Sequence, residues 1–315
     1  MHCLNRVLIA CALVSGAGAA AYAKVDRVVD KSFQVQPGVH LTVSTSGGEI
    51  RVDPSEGSTV RVLAKERIHA SSDAEADKIL QDLELTIEQR GNEIVATAHY
   101  AHGSGWHFGF WPPVEVDFVI TAPRDASGDL KTSGGDITVG DLGGNLKAHT
   151  SGGEIKLGKM GAEVDASTSG GDVVLEEAAG KTRLDTSGGN ISVGRVAGPA
   201  ELRTSGGDIR VESVDNILDA ETSGGNVKAS FKGALKGDCR LSTSGGEVKA
   251  TIGRNVGLRL DAKTSGGDVN AAGVTIRVDH GGVGKSSLSG DVNGGGPLLK
   301  LRTSGGDIDL IERSE

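Results

Sequence analysis

From Thr132 onward, apolar residues come in short alternating bursts at fixed intervals, each following the phrase Thr-Ser-Gly-Gly and then Asp, Glu or Asn. The Thr falls at 132, 150, 168, 186, 204 and 222, a period of 18, and then at 243 and 264, a period of 21. A degraded copy covers Ser287–Asp291, a clean one starts at Thr303, and a solitary one, Thr45–Ile50, stands near the start. With Thr as position 1, position 6 is Ile137, Ile155, Val173, Ile191, Ile209 and Val227. Position 8 is Val139, Leu157, Leu175, Val193, Val211 and Ala229, and the residue between is mostly polar. This period of two marks a half-buried strand. Positions 15 and 17 repeat it in Leu146/Ala148, Val164/Ala166, Ala200/Leu202 and Leu218/Ala220, and position 11 is apolar in Leu142, Met160, Ala178, Val196 and Val214. Each unit therefore predicts two short strands and a brief third side joined by Gly-rich corners. Units this short cannot bury their own apolar faces and must stack.

The predicted fold is all-β: a parallel β-solenoid of about ten coils with 18–21-residue repeats, carrying a small N-terminal α+β insert or cap. The two 21-residue units call for bulges, placed at Phe231–Gly237 and Thr251–Asn255. Continuing the alternation turns Thr inward and Ser outward. The Gly pair makes the corner, where either a positive φ or a close approach between coils excludes a β-carbon.

The first part of the chain reads differently. Phe33–Val52 is a strand entering a Gly-Gly turn, and Thr59–Glu66 is a second strand. Ser72 has the character of an N-cap with Glu75 at the capping-box position, and Asp73–Leu83 shows helical spacing in Ala76, Ile79, Leu80 and Leu83. A hairpin follows, with Leu85 and Ile87 on one arm, Gly91-Asn92 at the turn, and Ile94, Ala96 and Ala98 on the other. Val114–Thr121 is a further strand.

Composition sharpens this picture. Gly supplies 49 of 315 residues, against only five Phe, two Trp and two Tyr, so the core is thin and aliphatic. Residues 1–23 have the form of a secretory signal: Arg6, the apolar run Val7–Val14, and Ala21-Tyr22-Ala23 as an Ala-x-Ala site for cleavage after Ala23. The expected division is 1–23 signal peptide, 24–58 first coil, 59–128 insert with helix, hairpin and aromatic loop, and 129–315 repeats. The expected location is the periplasm or the cell surface. After cleavage one cysteine, Cys239, remains, and no integral membrane segment is expected. Net charge is −9, or −10 once Arg6 is lost, which argues against nucleic acid or an anionic membrane as main partner.

Two features invite a chemical reading. Position 5 forms a column of acids and amides that includes Asp136, Glu154, Asp172, Asn190, Asp208 and Asn226. Catalytic carboxylates form a unique local pair rather than one residue per level, and calcium-binding β-rolls use a second Gly-x-Asp step absent here. The column, with its corners Gly134, Gly135 and Asp136, Gly152, Gly153 and Glu154, and Gly170, Gly171 and Asp172, is read as structural: short polar side chains bonding the turn backbone. The second feature is His99–Pro113, with Tyr100, His102, Trp106, His107, Phe108, Phe110 and Trp111. It is a candidate partner-binding loop or a cap over open strand edges. The His spacing matches no firm metal motif. No catalytic, cofactor or metal residues are assigned.

The Thr-Ser-Gly-Gly-Asp-Ile phrase, with Val119-Ile120-Thr121-Ala122-Pro123 and Leu130-Lys131 upstream, resembles DUF4097, a bacterial family of putative adhesins related to "toastrack" envelope domains. The resemblance runs over roughly residues 33–315 and implies a β-helical envelope protein; it brings no catalytic residues. The expected function is that of an exported, non-catalytic adhesin or envelope scaffold whose partner is an envelope protein or surface polymer. The alternatives are a pectin-lyase-like polysaccharide enzyme, whose outer face would carry a singular carboxylate or Lys/Arg set, and a ligand or metal module at the aromatic-His insert.

Overall fold

A computed structural model describes residues 24–70, 72–100 and 114–313. The signal-like residues 1–23 and the aromatic stretch 101–113 lie outside them. The chain forms two units. One holds the described residues up to Gly144 with Ala148–Gly152, the other Asn145–Lys147 and everything from Gly153 on. Both combine parallel and antiparallel strand pairs, with one helix among the described residues.

In the first unit, β1 (Lys24–Gln34), β2 (His40–Thr45), β3 (Ile50–Ser55) and β4 (Thr59–His69) come first. They are followed by α1 (Asp73–Gln81), β5 (Leu83–Arg90), β6 (Glu93–Tyr100), β7 (Val114–Pro123), β8 (Ser127–Thr132) and β9 (Ile137–Val139). One sheet runs β1-β4-β7-β3-β9 and the other β8-β2-β6-β5. β1 was not legible in Lys24–Ser32, whose apolar residues do not alternate cleanly; it pairs antiparallel with β4. α1 begins where Ser72 accepts from the Glu75 amide at 3.3 Å. It buries only Ala76 and stops at Gln81, so Leu83, expected in the helix, opens β5 instead. The hairpin of β5 and β6 turns on Gly91, at φ +64°.

The solitary Thr45 phrase is not isolated. β2 lies parallel to β8 and β3 to β9, so Thr45 stands in register with Thr132 and Ile50 with Ile137. On the other side, β6 lies parallel to β2 and β7 to β3. The excursion from Thr59 to Pro123 thus returns to supply one more level, made of β6 and β7.

The second unit stacks like on like. In one sheet the strands Ile155–Met160, Val173–Ala178, Ile191–Val196, Ile209–Val214, Val227–Phe231 and Val248–Gly253 lie side by side in that order. Val173, Ile191, Ile209, Val227 and Val248 form one inward column, and Leu175, Val193, Val211, Ala229 and Ala250 another. These residues are at most 3% exposed, which makes the thin aliphatic core continuous. The facing sheet contains Val164–Ser167, Thr182–Asp185, Ala200–Arg203, Leu218–Glu221 and Cys239–Ser242. The third side expected at position 11 is not separate. Positions 6 to 11 run as one strand, with position 9 unpaired between Leu157 and Lys159 and at the equivalent places above. The extra residue shifts the alternation by one, so Met160, Ala178, Val196 and Val214 again face inward.

The C-terminal repeats depart from sequence order. Beyond Val248–Gly253 the neighbouring strand is Ile308–Arg313, and only then Val269–Ala272. In the facing sheet Cys239–Ser242 is followed by Leu298–Arg302 and then Leu258–Lys263. The coil that begins at Thr303 is therefore inserted between the coils of Thr243 and Thr264. The 21-residue spacing from Thr243 to Thr264 climbs two levels and is not a one-level bulge at Thr251–Asn255. The degraded copy at Ser287–Asp291 is not a corner either. Ser287–Val292 pairs antiparallel with Leu258–Lys263 on one side and with Ile276–Gly284 on the other.

Candidate functional site

The repeated phrase builds a corner with a fixed set of bonds. Each Thr is buried, from Thr45 to Thr303, and each following Ser from Ser133 on is exposed. The Thr hydroxyl donates to the second Gly carbonyl of the neighbouring level: Thr186 to Gly171 at 2.9 Å, Thr204 to Gly189 at 2.8 Å and Thr222 to Gly207 at 2.8 Å. The same oxygen accepts from the second Gly amide of its own phrase, as from Gly207 at 3.3 Å.

The corner glycines are there because of close approach. None has a positive φ; among the described residues the glycines that do are Gly38, Gly57, Gly91, Gly273 and Gly294–Gly296. A β-carbon on Gly135 would stand 2.2 Å from the Gly48 carbonyl oxygen, and one on Gly171 2.1 Å from that of Gly153. The first Gly of each pair is freer: the same construction leaves 3.9 Å at Gly134 and 3.7 Å at Gly152. Gly170 serves as the carbonyl neighbour of Gly188, at 3.5 Å.

Position 5 forms a ladder between levels, where bonds within each turn were expected. Asp172 Oδ1 accepts from the Asn190 amide at 2.7 Å, Asn190 Oδ1 from Asp208 at 2.8 Å, Asp208 Oδ1 from Asn226 at 2.6 Å and Asn226 Oδ1 from Glu247 at 2.8 Å. Asp and Asn alternate through this run, so no two carboxylates are neighbours. The Asn190 and Asn226 amide groups donate to Asp172 and Asp208 at 3.3 and 3.2 Å. Where Glu154 and Asp172 follow one another, Lys156 holds Glu154 at 2.7 Å. Replacing Asn190 with Asp keeps the acceptor, removes the donor and joins Glu154, Asp172 and Asp208 into an unbroken run of carboxylates. We expect a loss of about 0.5–1 kcal/mol at neutral pH. The crowding raises the folded pKa of the new carboxyl, so the penalty fades as pH falls through the ordinary Asp range near ~4. Urea titrations of both proteins on either side of that range check it.

Sequence reading missed the first rung, because it carries no Gly-Gly phrase. At the level of β6 and β7, Ala98 takes the place of Thr45 and Phe118 that of Ile50. Thr45 donates to the Val116 carbonyl at 2.9 Å, and Asp117 Oδ1 accepts from the Glu49 amide at 3.0 Å. Val116 and Asp117 thus do the work of the Gly and the acid. Arg67, from β4, closes the rung by pairing with Asp117 and, at 3.5 Å, Glu115. Burial works against the Arg67 charge, yet Asp117, Glu115 and Glu49 together hold its guanidinium above the usual range.

Ser46–Glu49 turn the corner in the next level, whereas His99–Asp117 lie between Ala98 and Phe118 here. The described residues that flank the aromatic stretch are Tyr100, which ends β6, and Val114, which opens β7. The Tyr100 hydroxyl donates to Asp82 at 3.5 Å; burial first, and then Asp82, push its pKa up. His102, Trp106, His107, Phe108, Phe110 and Trp111 lie outside the described residues. Among the described residues no group of three or more His, Cys, Asp or Glu is placed to hold a metal.

The DUF4097 family, described as Toastrack DUF4097, matches residues 39–311 of this sequence. The chain belongs to that family. A solved structure of a putative adhesin from Bacteroides fragilis is similar, at 13% identity over 91% of this chain and 97% of that one, with a TM-score of 0.43. A putative cell adhesion protein from Clostridium sporogenes shares 12% identity over 91% and 100% of the two chains, with a TM-score of 0.24. A putative lipid binding protein from Parabacteroides distasonis shares 11% over 90% and 96%, with a TM-score of 0.36. No curated protein matches the sequence. The DUF4097 match spans the Thr45 level, the excursion and all later Thr-Ser-Gly-Gly corners, so the family fold takes in both units.

Proposed function

We propose that this DUF4097 protein is exported and acts without catalysis, as an adhesin or cell-envelope scaffold that binds an envelope protein or a surface polymer. The observation that carries the reading is the use made of the carboxylates. The corner acids and amides, which offer the richest column of reactive groups in the chain, are spent on backbone amides of the next level. Two outward Arg residues are likewise held in carboxylate lattices: Arg195 between Glu177 and Asp215, Arg203 among Glu201, Asp219 and Glu221. Such an exterior suits recognition by a rigid scaffold. The signal-like residues 1–23 support export to the periplasm or cell surface. No helix among the described residues is long and apolar enough to cross a membrane.

The test is to purify residues 24–315, probe glycan arrays and label envelope neighbours in cells. Capture of a defined polymer or envelope protein supports the reading; silence in both removes it. Depolymerisation of a polysaccharide, abolished by one Asp or Glu substitution, would replace it with an enzyme. Deleting Gly103–Trp111 then assigns the aromatic stretch. Lost binding with an unchanged melting temperature makes it the recognition loop, and a lower melting temperature with binding retained makes it a cap.

A further inference from the structure

Along the outward face of the second unit's strand-short sheet, position 18 carries long charged side chains, Asp185, Arg203 and Glu221, level after level. The next level breaks the column with Ser242, followed by Arg302 and Lys263. The missing side chain leaves a cleft of about 270 Å³, lined by Arg240, Lys263 and Arg302 and by the outward serines of three adjacent corners, Ser244, Ser304 and Ser265.

Its electrostatics differ from the rest of the face. Glu221 is the lining carboxylate, and Arg203 already holds it at 2.9 Å. Arg302 is paired with Asp261. Arg240 and Lys263 are exposed and make no ion pair among the described residues. Two unbalanced cations thus sit together on a protein whose net charge is −9. At the floor, Ser242 is only 6% exposed and its hydroxyl has no hydrogen-bond partner. A buried donor left unmade is costly, and an anionic oxygen between Arg240 and Lys263 would satisfy it.

We infer that this cleft binds the acidic groups of an anionic polysaccharide, a uronate or sulfated sugar chain. The inference rests on the proposed binding role and names its ligand class. The cleft faces a row of hydroxyls repeating at the strand spacing of about 4.8 Å, which suits a polyhydroxylated chain with periodic charge. No aromatic lines it, so the bases of a nucleic acid would have nothing to stack on.

The experiment measures binding of residues 24–315 to polygalacturonate oligomers, heparin oligosaccharides and neutral dextran, at low and high salt. We expect salt-sensitive binding of an acidic chain and none of dextran. Arg240→Ala with Lys263→Ala lowers that affinity at least about tenfold. Ser242→Glu, which restores the charged column, lowers it similarly, whereas Lys228→Ala on the other sheet leaves it unchanged. Inorganic sulfate competes. Acidic-chain binding that survives both cleft variants overturns the inference and leaves the binding role standing. Equal binding of dextran, or of sulfate without any glycan, also overturns it. If neither glycans nor envelope proteins bind, the binding role itself falls.

Discussion

Gly207→Ala destabilises the second unit by about 3 kcal/mol or more, whereas Gly206→Ala, one residue earlier in the same corner, changes stability by no more than about 1 kcal/mol. Neither glycine has a positive φ, so backbone freedom does not separate them. Space does. A β-carbon on Gly207 would lie 2.1 Å from the Gly189 carbonyl oxygen and 2.5 Å from its carbon, while one on Gly206 would lie 3.4 Å from its nearest neighbour. The Gly189 oxygen cannot yield freely, because it accepts the Thr204 hydroxyl at 2.8 Å. Moving Gly207 instead disturbs the bond its own carbonyl receives from Thr222 and the adjoining rung from Asp208 to Asn190. Thermal and urea melts of both variants decide the matter, the fall for Gly207→Ala being on the order of 6–12 °C. Equal effects at both positions would show that corner glycine is kept for flexibility instead.

That pair of glycines marks how far the sequence could be read. Period-two alternation gave the two sheets, because each coil must turn one face to a shared core, and the inward Thr followed by extending the same count. The choice between positive φ and close approach was open, since both demand glycine; only the distance between levels distinguishes them. The Asp117 rung was hidden for a related reason. Val116 supplies only a carbonyl there, so the position carries no Thr-Ser-Gly-Gly phrase. Of the candidate site, the corner residues Gly134–Asp136 and their equivalents could be picked out by repetition alone. The cleft at Ser242 could not. It depends on a small residue interrupting a column, and that column is visible only once Glu221, Ser242 and Arg302 are known to be neighbours. A signal for the C-terminal rearrangement was present in the spacing. Thr303 follows Thr264 by 39 residues, matching neither repeat length, and the two turn out to begin adjacent levels.

Ending the chain at Gly296 therefore does more than remove a last repeat. In an array of stacked coils, losing a terminal coil removes one interface, and losing an internal one removes two. The residues lost include Leu299, Leu301, Ile308 and Leu310, each at most 1% exposed. At roughly 1.5–3 kcal/mol for each buried aliphatic side chain, the deletion removes upwards of ~6 kcal/mol, comparable with the whole stability of many domains. It also strips the corner bonds on both flanks, Thr303 to Gly246 and Thr264 to Gly306, each 2.7–2.8 Å, and the rung from Asp268 to Asp307. The coil of Thr264, with the antiparallel strands Ile276–Gly284 and Ser287–Val292 beyond it, is left without its neighbour. Hydrogen exchange on the shortened chain should show Leu258–Val292 unprotected while Ile155–Val214 stays protected, because the array unfolds from the level that has lost its partner. Retained protection over Leu258–Val292 would mean that the Thr264 coil drops directly onto the Thr243 coil. The two-level climb between them would then be a consequence of the inserted strands and not a requirement of the fold.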